Sequence, residues 1–308
     1  MHRRFRHLGA LAATAIWLVP EVAQAGKYDL DLTRLGQQSN GGIVQDNAAF
    51  RSLSSELGTI MAPQPMDPGD SLGLSGFAVS ADVSLNTISG DRHYWRDTAS
   101  SSPDKVAPSL QIVGRKGLWP GLEVGAGATH LFDSRMWAMF GYGKVAIHEG
   151  FHHLPIPTIA LRGSFSRLVG AKDFSLTTAA PAVTVSHVFG LGKTFSLTPY
   201  VGYEALLIIS RSRVLSATPH CDEFPDLYNT ECAGVDRTAP TEFVFRDAGV
   251  IVRHRPHLGV RMIFSVVRLG FEAMFVPAGR SDGSIGGETV EDNSAFQQQY
   301  TFSVGFDF

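Results

Sequence analysis

The last twelve residues, "QQQYTFSVGFDF", alternate without a break. Tyr300, Phe302, Val304, Phe306 and Phe308 share one face, and Gln297, Gln299, Thr301, Ser303, Gly305 and Asp307 share the other. Period two is the geometry of an extended strand, whose successive side chains point to opposite sides. A strand that is aromatic and aliphatic on one face and polar on the other separates an apolar medium from a wet one. A slip of one residue would exchange the two faces, so the register of such a strand is strongly specified.

The same alternation recurs upstream. Phe77, Val79, Ala81, Val83 and Leu85 oppose Ser80, Asp82 and Ser84; Leu122, Val124, Ala126, Ala128 and Phe132 oppose Glu123, Gly125, Gly127 and Thr129. Phe195, Leu197, Val201, Tyr203, Ala205 and Leu207 oppose Ser196, Thr198, Tyr200, Gly202 and Glu204, and Val267, Leu269, Phe271, Ala273 and Phe275 oppose Arg268, Gly270 and Glu272. Extended along the chain, the pattern predicts ten strands, at 71–88, 106–115, 121–132, 135–148, 155–167, 174–189, 195–212, 241–263, 267–277 and 296–308. Eight or twelve stay compatible, because strand eight is overlong and contains Pro256. A proline removes one ladder donor and predicts a bulge there. The intervening segments near 116–120, 149–154, 190–194 and 264–266 are short, whereas 89–105, 213–240 and 278–295 are long.

Composition agrees with an all-β chain: 32 glycines, 18% charged residues, and no uninterrupted apolar run of membrane-helix length beyond the start. That start reads as an export signal over 1–25. Arg3, Arg4 and Arg6 precede the apolar "LGALAATAIWLV", and Ala23-Gln24-Ala25 supplies a small-residue cleavage pattern. Residues 26–70 lack the alternation. Asp46 is placed as a helix N-cap, Phe50, Leu53, Leu57 and Ile60 recur at helical spacing, and Pro63 is a stop, so the spacing predicts a helix over 46–61. This segment sits in the periplasm, plugs a lumen or contacts a partner; the sequence does not choose.

With an export signal at one end and a strand closing on Phe308 at the other, the chain resembles Gram-negative outer-membrane β-barrel proteins. The resemblance covers 71–308 and is architectural. It implies a transmembrane antiparallel up-and-down β-barrel in the outer membrane, with Tyr300, Phe302, Phe306 and Phe308 as the assembly signal read by the barrel-assembly machinery. It also implies lipid and lipopolysaccharide as partners and no nucleic acid. It assigns no solute and no oligomeric state.

His148-Glu149-Gly150-Phe151-His152 matches H-E-x-x-H, which binds zinc when both histidines share a helical face. Here Gly150 sits mid-motif, Pro155 and Pro157 follow, and both flanks alternate with period two. The histidines therefore fall on a strand end and a turn, and neither a metal nor a cofactor is expected. Cys221 and Cys232, the only cysteines, lie in the longest loop and are expected to form a disulfide, a metal site with His220 being the alternative.

Asp82, Arg115, Glu123, Lys144, Arg162, Glu204, Arg268 and Glu272 fall on the polar parity and are expected to line the lumen, either as a salt-bridged filling or as a polar conduit or small-ligand cavity. Arg211, Arg213, Arg253 and Arg255 are expected near the outer rim, as contacts to lipopolysaccharide phosphates or as a solvated girdle. His130 and His187 take the outward parity and no Ser/His/Asp group converges, so an enzyme is not expected. The resulting reading is a structural barrel or narrow pore, with surface binding through 213–240 as the alternative and a lumen or rim enzyme last.

Overall fold

The computed structural model describes residues 26–39, 42–148, 156–191, 194–218, 221, 241–247, 249–285 and 288–308. Among them are ten long strands: β1 (Phe77–Thr87), β2 (Val106–Trp119), β3 (Leu122–Leu131), β4 (Trp137–His148), β5 (Thr158–Val169), β6 (Phe174–Ser186), β7 (Phe195–Ser212), β8 (Ile251–Phe264), β9 (Val267–Val276) and β10 (Gln297–Asp307). Each pairs antiparallel with its neighbour in sequence, and β10 returns to pair with β1, so the sheet closes into an up-and-down barrel. The closing seam runs from Gln299↔Asn86 to Asp307↔Ala78, and Phe77 and Phe308 then exchange two backbone hydrogen bonds of 2.9 and 2.7 Å. Closure leaves no unpaired edge, which is what a sheet needs to stand in hydrocarbon.

All ten predicted strands are present, with two shifted starts. β1 begins at Phe77 rather than 71, because the chain is still turning at Gly73, whose φ is +70°. β8 begins at Ile251 rather than 241; Glu242–Phe243 pairs instead with Leu215–Ser216 above the barrel. No bulge forms at Pro256. Its register with Tyr203 is unbroken, and the ladder from β8 to β9 starts only at His257, so Pro256 stands beyond the end of that ladder. The register instead shifts at Gly117/Trp119 and Ala146/His148.

Connections 88–105, 213–250 and 277–296 gather at one end, the loop end, together with the short 132–136 and 170–173. The turn end carries 120–121 and 265–266 and both termini of the barrel. Outward side chains are apolar and exposed, among them Ile112, Leu161, Phe165, Val201, Phe302 and Phe306.

The N-terminal segment occupies the lumen. Residues 26–39 and 42–46 lie across the loop end, with a 3₁₀ turn (Leu32–Leu35) and a hairpin (Gly36–Ser39 with Gly42–Gln45). α1 (Asn47–Met61) then enters the barrel, capped by the Asp46 carboxylate, which accepts the Ala49 N–H at 2.8 Å. From Ala49 to Met61 every residue is buried. Pro63 and Pro65 cannot continue a helix, and the chain runs on extended toward the turn end before entering β1.

The expected apolar stripe of α1 packs against the wall. Phe50 stacks on Phe245 at 4.6 Å, and Leu53, Leu57 and Ile60 join Phe174, Leu176, Leu206 and Ile208 in one core. Gly58 allows the closest approach: a Cβ there would meet Ile208 at 2.7 Å.

Candidate functional site

The eight charges expected in the lumen all point inward, none more than 7% exposed. Isolated buried charges are costly unless paired, so the question is what each one meets. Asp67, on the extended part of the plug, is the hub. It pairs with Lys144 on β4, with Arg268 on β9 at 2.8 Å, with Arg261 on β8 at 3.5 Å and with Arg115 on β2 at 3.8 Å. Asp70 pairs with Arg261.

The plug backbone is held at the same level. Arg268 donates to the Met66 carbonyl at 2.7 Å, Lys144 donates to the Asp70 carbonyl at 2.8 Å, and the Glu272 carboxylate accepts the Met66 N–H at 3.1 Å. Wall carboxylates are themselves fixed: Glu123 accepts from the Tyr142 hydroxyl at 2.8 Å and meets Lys144 at 3.2 Å, and Glu272 accepts from the Tyr200 hydroxyl at 2.9 Å. Tyr142 lies flat over Gly125, where a Cβ would meet the ring at 2.2 Å.

Midway along the lumen, Arg255 meets Glu204 at 2.6 Å and donates to the Gln64 side chain of the plug at 3.0 Å. Toward the loop end, Glu56 of α1 accepts five hydrogen bonds. They come from the Ser89 N–H (3.0 Å) and hydroxyl (2.8 Å), the Tyr94 hydroxyl (2.8 Å), the Trp95 indole N–H (2.7 Å) and the Ala295 N–H (3.1 Å). Burial, and then the Glu56 charge beside it, hold the Tyr94 hydroxyl well above the usual phenol pKa, so it stays a donor. Arg51 and Arg253 complete the latch. Arg51 donates to the Ser281 carbonyl at 3.1 Å, and Arg253 donates to the Ser55 hydroxyl at 2.7 Å and the Pro277 carbonyl at 2.9 Å.

Arg253 and Arg255 correct an expectation. They are expected at the outer rim with Arg211 and Arg213, across the hairpin of strands seven and eight. On β8 they share the inward face with Ile251 and His257, where they meet Ser55 and Gln64 of the plug, and they are 1% and 0% exposed. Arg211 and Arg213 do lie exposed at the end of β7, where Arg211 reaches Asp247 at 4.0 Å. His257 and Arg261 continue the inward row of β8 and were missed altogether. The signal was the period of two through Arg253, Arg255, His257 and Arg261, obscured because His254 and Pro256 deprive the opposite face of apolar residues at that end.

His148 is the last residue of β4, on a strand as the alternation predicts, while 149–155, including His152, lie outside the described residues. Cys221 is described in a turn; Cys232, and with it the expected disulfide, is not.

No protein-family model and no curated protein sequence matches the chain. Among solved structures it is similar to Neisserial surface protein A (12% identity, covering 75% of this chain and 97% of that one, TM-score 0.29). It is also similar to the outer membrane protease OmpT of Escherichia coli (8%, 76% and 96%, TM-score 0.33) and to the beta domain of the Bordetella autotransporter BrkA (12%, 75% and 99%, TM-score 0.34). At such identities and scores these likenesses decide nothing by themselves. The closed ring of registers does, with its apolar exterior and charged interior. In architecture the chain is an outer-membrane β-barrel. Bacterial outer-membrane barrels keep short turns and the barrel's termini on the periplasmic side and longer loops outside. By that rule the loop end faces the cell exterior.

Proposed function

We propose that this protein is a self-plugged, non-conducting outer-membrane barrel that displays residues 26–46 and its outer loops at the cell surface. The observation that carries this reading is Asp67, a plug carboxylate shared by cations from four strands spread around the ring. Seven buried cations on the strands (Arg115, Lys144, Arg162, Arg253, Arg255, Arg261 and Arg268) face four buried strand carboxylates (Asp82, Glu123, Glu204 and Glu272). The wall is thus electropositive by itself, and Glu56, Asp67 and Asp70 of the plug, less its own buried Arg51, offset most of the excess. That complementarity favours the occupied lumen over the narrow open pore. Catalysis has little support, because most of the lumen's ionisable side chains are bonded to the plug or to each other. Arg211 and Arg213 remain suited to phosphate groups of lipopolysaccharide at the outer rim.

Planar-bilayer recording of the purified wild type tests this reading. The plugged barrel gives no steady conductance steps at low voltage. Regular open-channel steps from every inserted molecule would overturn it in favour of a pore.

A further inference from the structure

The lumen is unevenly tight. Asp82, Gln111, Glu272 and Gln299 keep 2% exposure or less, whereas Tyr142, Arg162, Ser164 and Ala182 keep 8%, 7%, 6% and 7%. The last four are contiguous, since Tyr142 pairs in register with Ser164 and Arg162 with Ala182. Residual accessibility on the inside of a closed wall marks space for at least a water-sized molecule. Its origin is visible in the chain. β5 and β6 carry small inward residues here (Ala160, Ser164, Ala180, Ala182), and at this level the plug bonds to other strands, with Gln64 bonded to Gln111 and Arg255 and Met66 to Glu272 and Arg268. Nearer the turn end the plug does meet β6, where the Gly69 N–H donates to the Ser186 hydroxyl at 2.9 Å.

Arg162 faces this chamber. Among the described residues it is the one lumen cation with neither a hydrogen bond nor an ion pair; its Nε and Nη1 are buried without a partner, and its guanidinium lies over the Tyr142 ring, 4.3 Å from the centroid. Lys144, its cross-strand neighbour, is taken by Asp67 and Glu123; Glu204, one strand beyond Ala182, meets Arg255 through Oε1 at 2.6 Å, while its Oε2 is buried without a partner. Thr184, two residues along β6 from Ala182, turns a 5% exposed side chain inward. A guanidinium and a hydroxyl on adjacent strands at a diagonal position can converge on one ligand.

We propose that this chamber is a binding site for a small inorganic anion, with Arg162 as the charged anchor and the Thr184 hydroxyl as a second donor. An anion there supplies the counter-charge that every neighbouring cation already has, and a buried unpaired guanidinium is otherwise expensive.

Bromide is the probe. The full chain is refolded in bromide-containing detergent buffer, so that access to the lumen is not limiting, and crystallised for anomalous diffraction at the bromine edge. The wild type should show a bromide within hydrogen-bonding distance of the Arg162 guanidinium. Arg162→Lys should retain it, and Arg162→Met should lose it completely while any bromides at surface cations stay. A wild-type map with no anomalous signal at Arg162, bromide only at surface sites, or a chamber bromide that persists in Arg162→Met would each overturn the proposal. Should Arg162→Met fail to refold, the wild-type map alone still decides.

Discussion

The outer and inner halves of the lumen are filled by opposite means. Around α1, Leu53, Leu57 and Ile60 pack with Phe174, Leu206 and Ile208 as in a water-soluble core, and Glu56 is satisfied mainly by uncharged donors. Around residues 66–70 the contacts are ionic, with Asp67 at the centre of four cations. The difference follows from the strands. The outer stretches of β6, β7 and β8 turn Leu176, Ile208 and Ile251 inward, while the periplasmic stretches of β2, β4, β8 and β9 turn in Arg115, Lys144, Arg261 and Arg268. Apolar packing seats the helix, and shared charge fixes where the extended run sits. The two halves should therefore fail in different ways.

Removing the ionic hub should be the heaviest single blow. Asp67→Ala leaves four cations around an uncompensated site and should cost about 3–5 kcal/mol. The urea midpoint of the refolded protein, followed by the gel-mobility difference between boiled and unboiled samples, reads this. Moderate salt should restore little of it, because the cations are buried. A loss no larger than that of an exposed carboxylate would dissolve the contrast between the halves.

Leu57→Ala attacks the outer half. Leu57 is fully buried, and the cavity left behind should cost about 2–4 kcal/mol by the same measurement. Unlike Asp67→Ala, it leaves the ionic clamp complete, so the periplasmic end of the plug should remain protected from hydrogen exchange while α1 loses protection. Uniform loss of protection along 47–72 would show that the plug is one cooperative unit.

A smaller effect is expected at the latch. Glu56→Gln keeps one acceptor oxygen but turns an amide N–H₂ toward donors such as the Trp95 indole, which should cost about 1–3 kcal/mol. Indole fluorescence of Trp95 gives a local readout, provided the other three tryptophans are replaced by Phe.

Asp173, which accepts the Leu32 N–H at 3.0 Å and so ties the 26–46 segment to the 170–173 connection, should show the least. Burial raises its pKa above the usual value. The folded form then binds the proton more tightly than the unfolded chain, so the charge disfavours folding above the raised pKa, and that penalty is relieved as pH falls through it toward the unfolded value. Asp173→Asn should change stability at neutral pH by less than about 1 kcal/mol. The wild type should gain on the variant as the solution is acidified through that window; a loss relative to the variant would reverse the assignment.

How much of this was legible in the chain follows the same divide. Strand number and facing came through because lipid and lumen impose a period of two that each strand records locally: Val79, Val83, Phe302 and Phe306 announce the outside, and Asp82, Glu123 and Glu272 the inside. The helix was legible from Asp46 and the spacing of Leu53, Leu57 and Ile60. Its place in the lumen was not. The residues that put it there, Glu56 with Trp95 and Asp67 with Lys144, are 39 and 77 positions apart in sequence, and a pairing at that separation leaves no local period. Arg253 and Arg255 were misplaced for a smaller reason: His254 and Pro256 leave the outward face of that stretch without the apolar residues that mark parity elsewhere.

Threading of the plug from the cell exterior is the central claim, and labelling of intact cells tests it most directly. An epitope inserted before Gly42 sits at the tip of the N-terminal hairpin, where an added Cβ meets nothing within 4 Å, so it should disturb little. The structure predicts that antibody labels this epitope on intact cells as strongly as an epitope in the 213–250 loop. Labelling that appears only after the outer membrane is permeabilised, in a protein whose barrel is folded by the gel-mobility criterion, would place the segment in the periplasm and contradict the account.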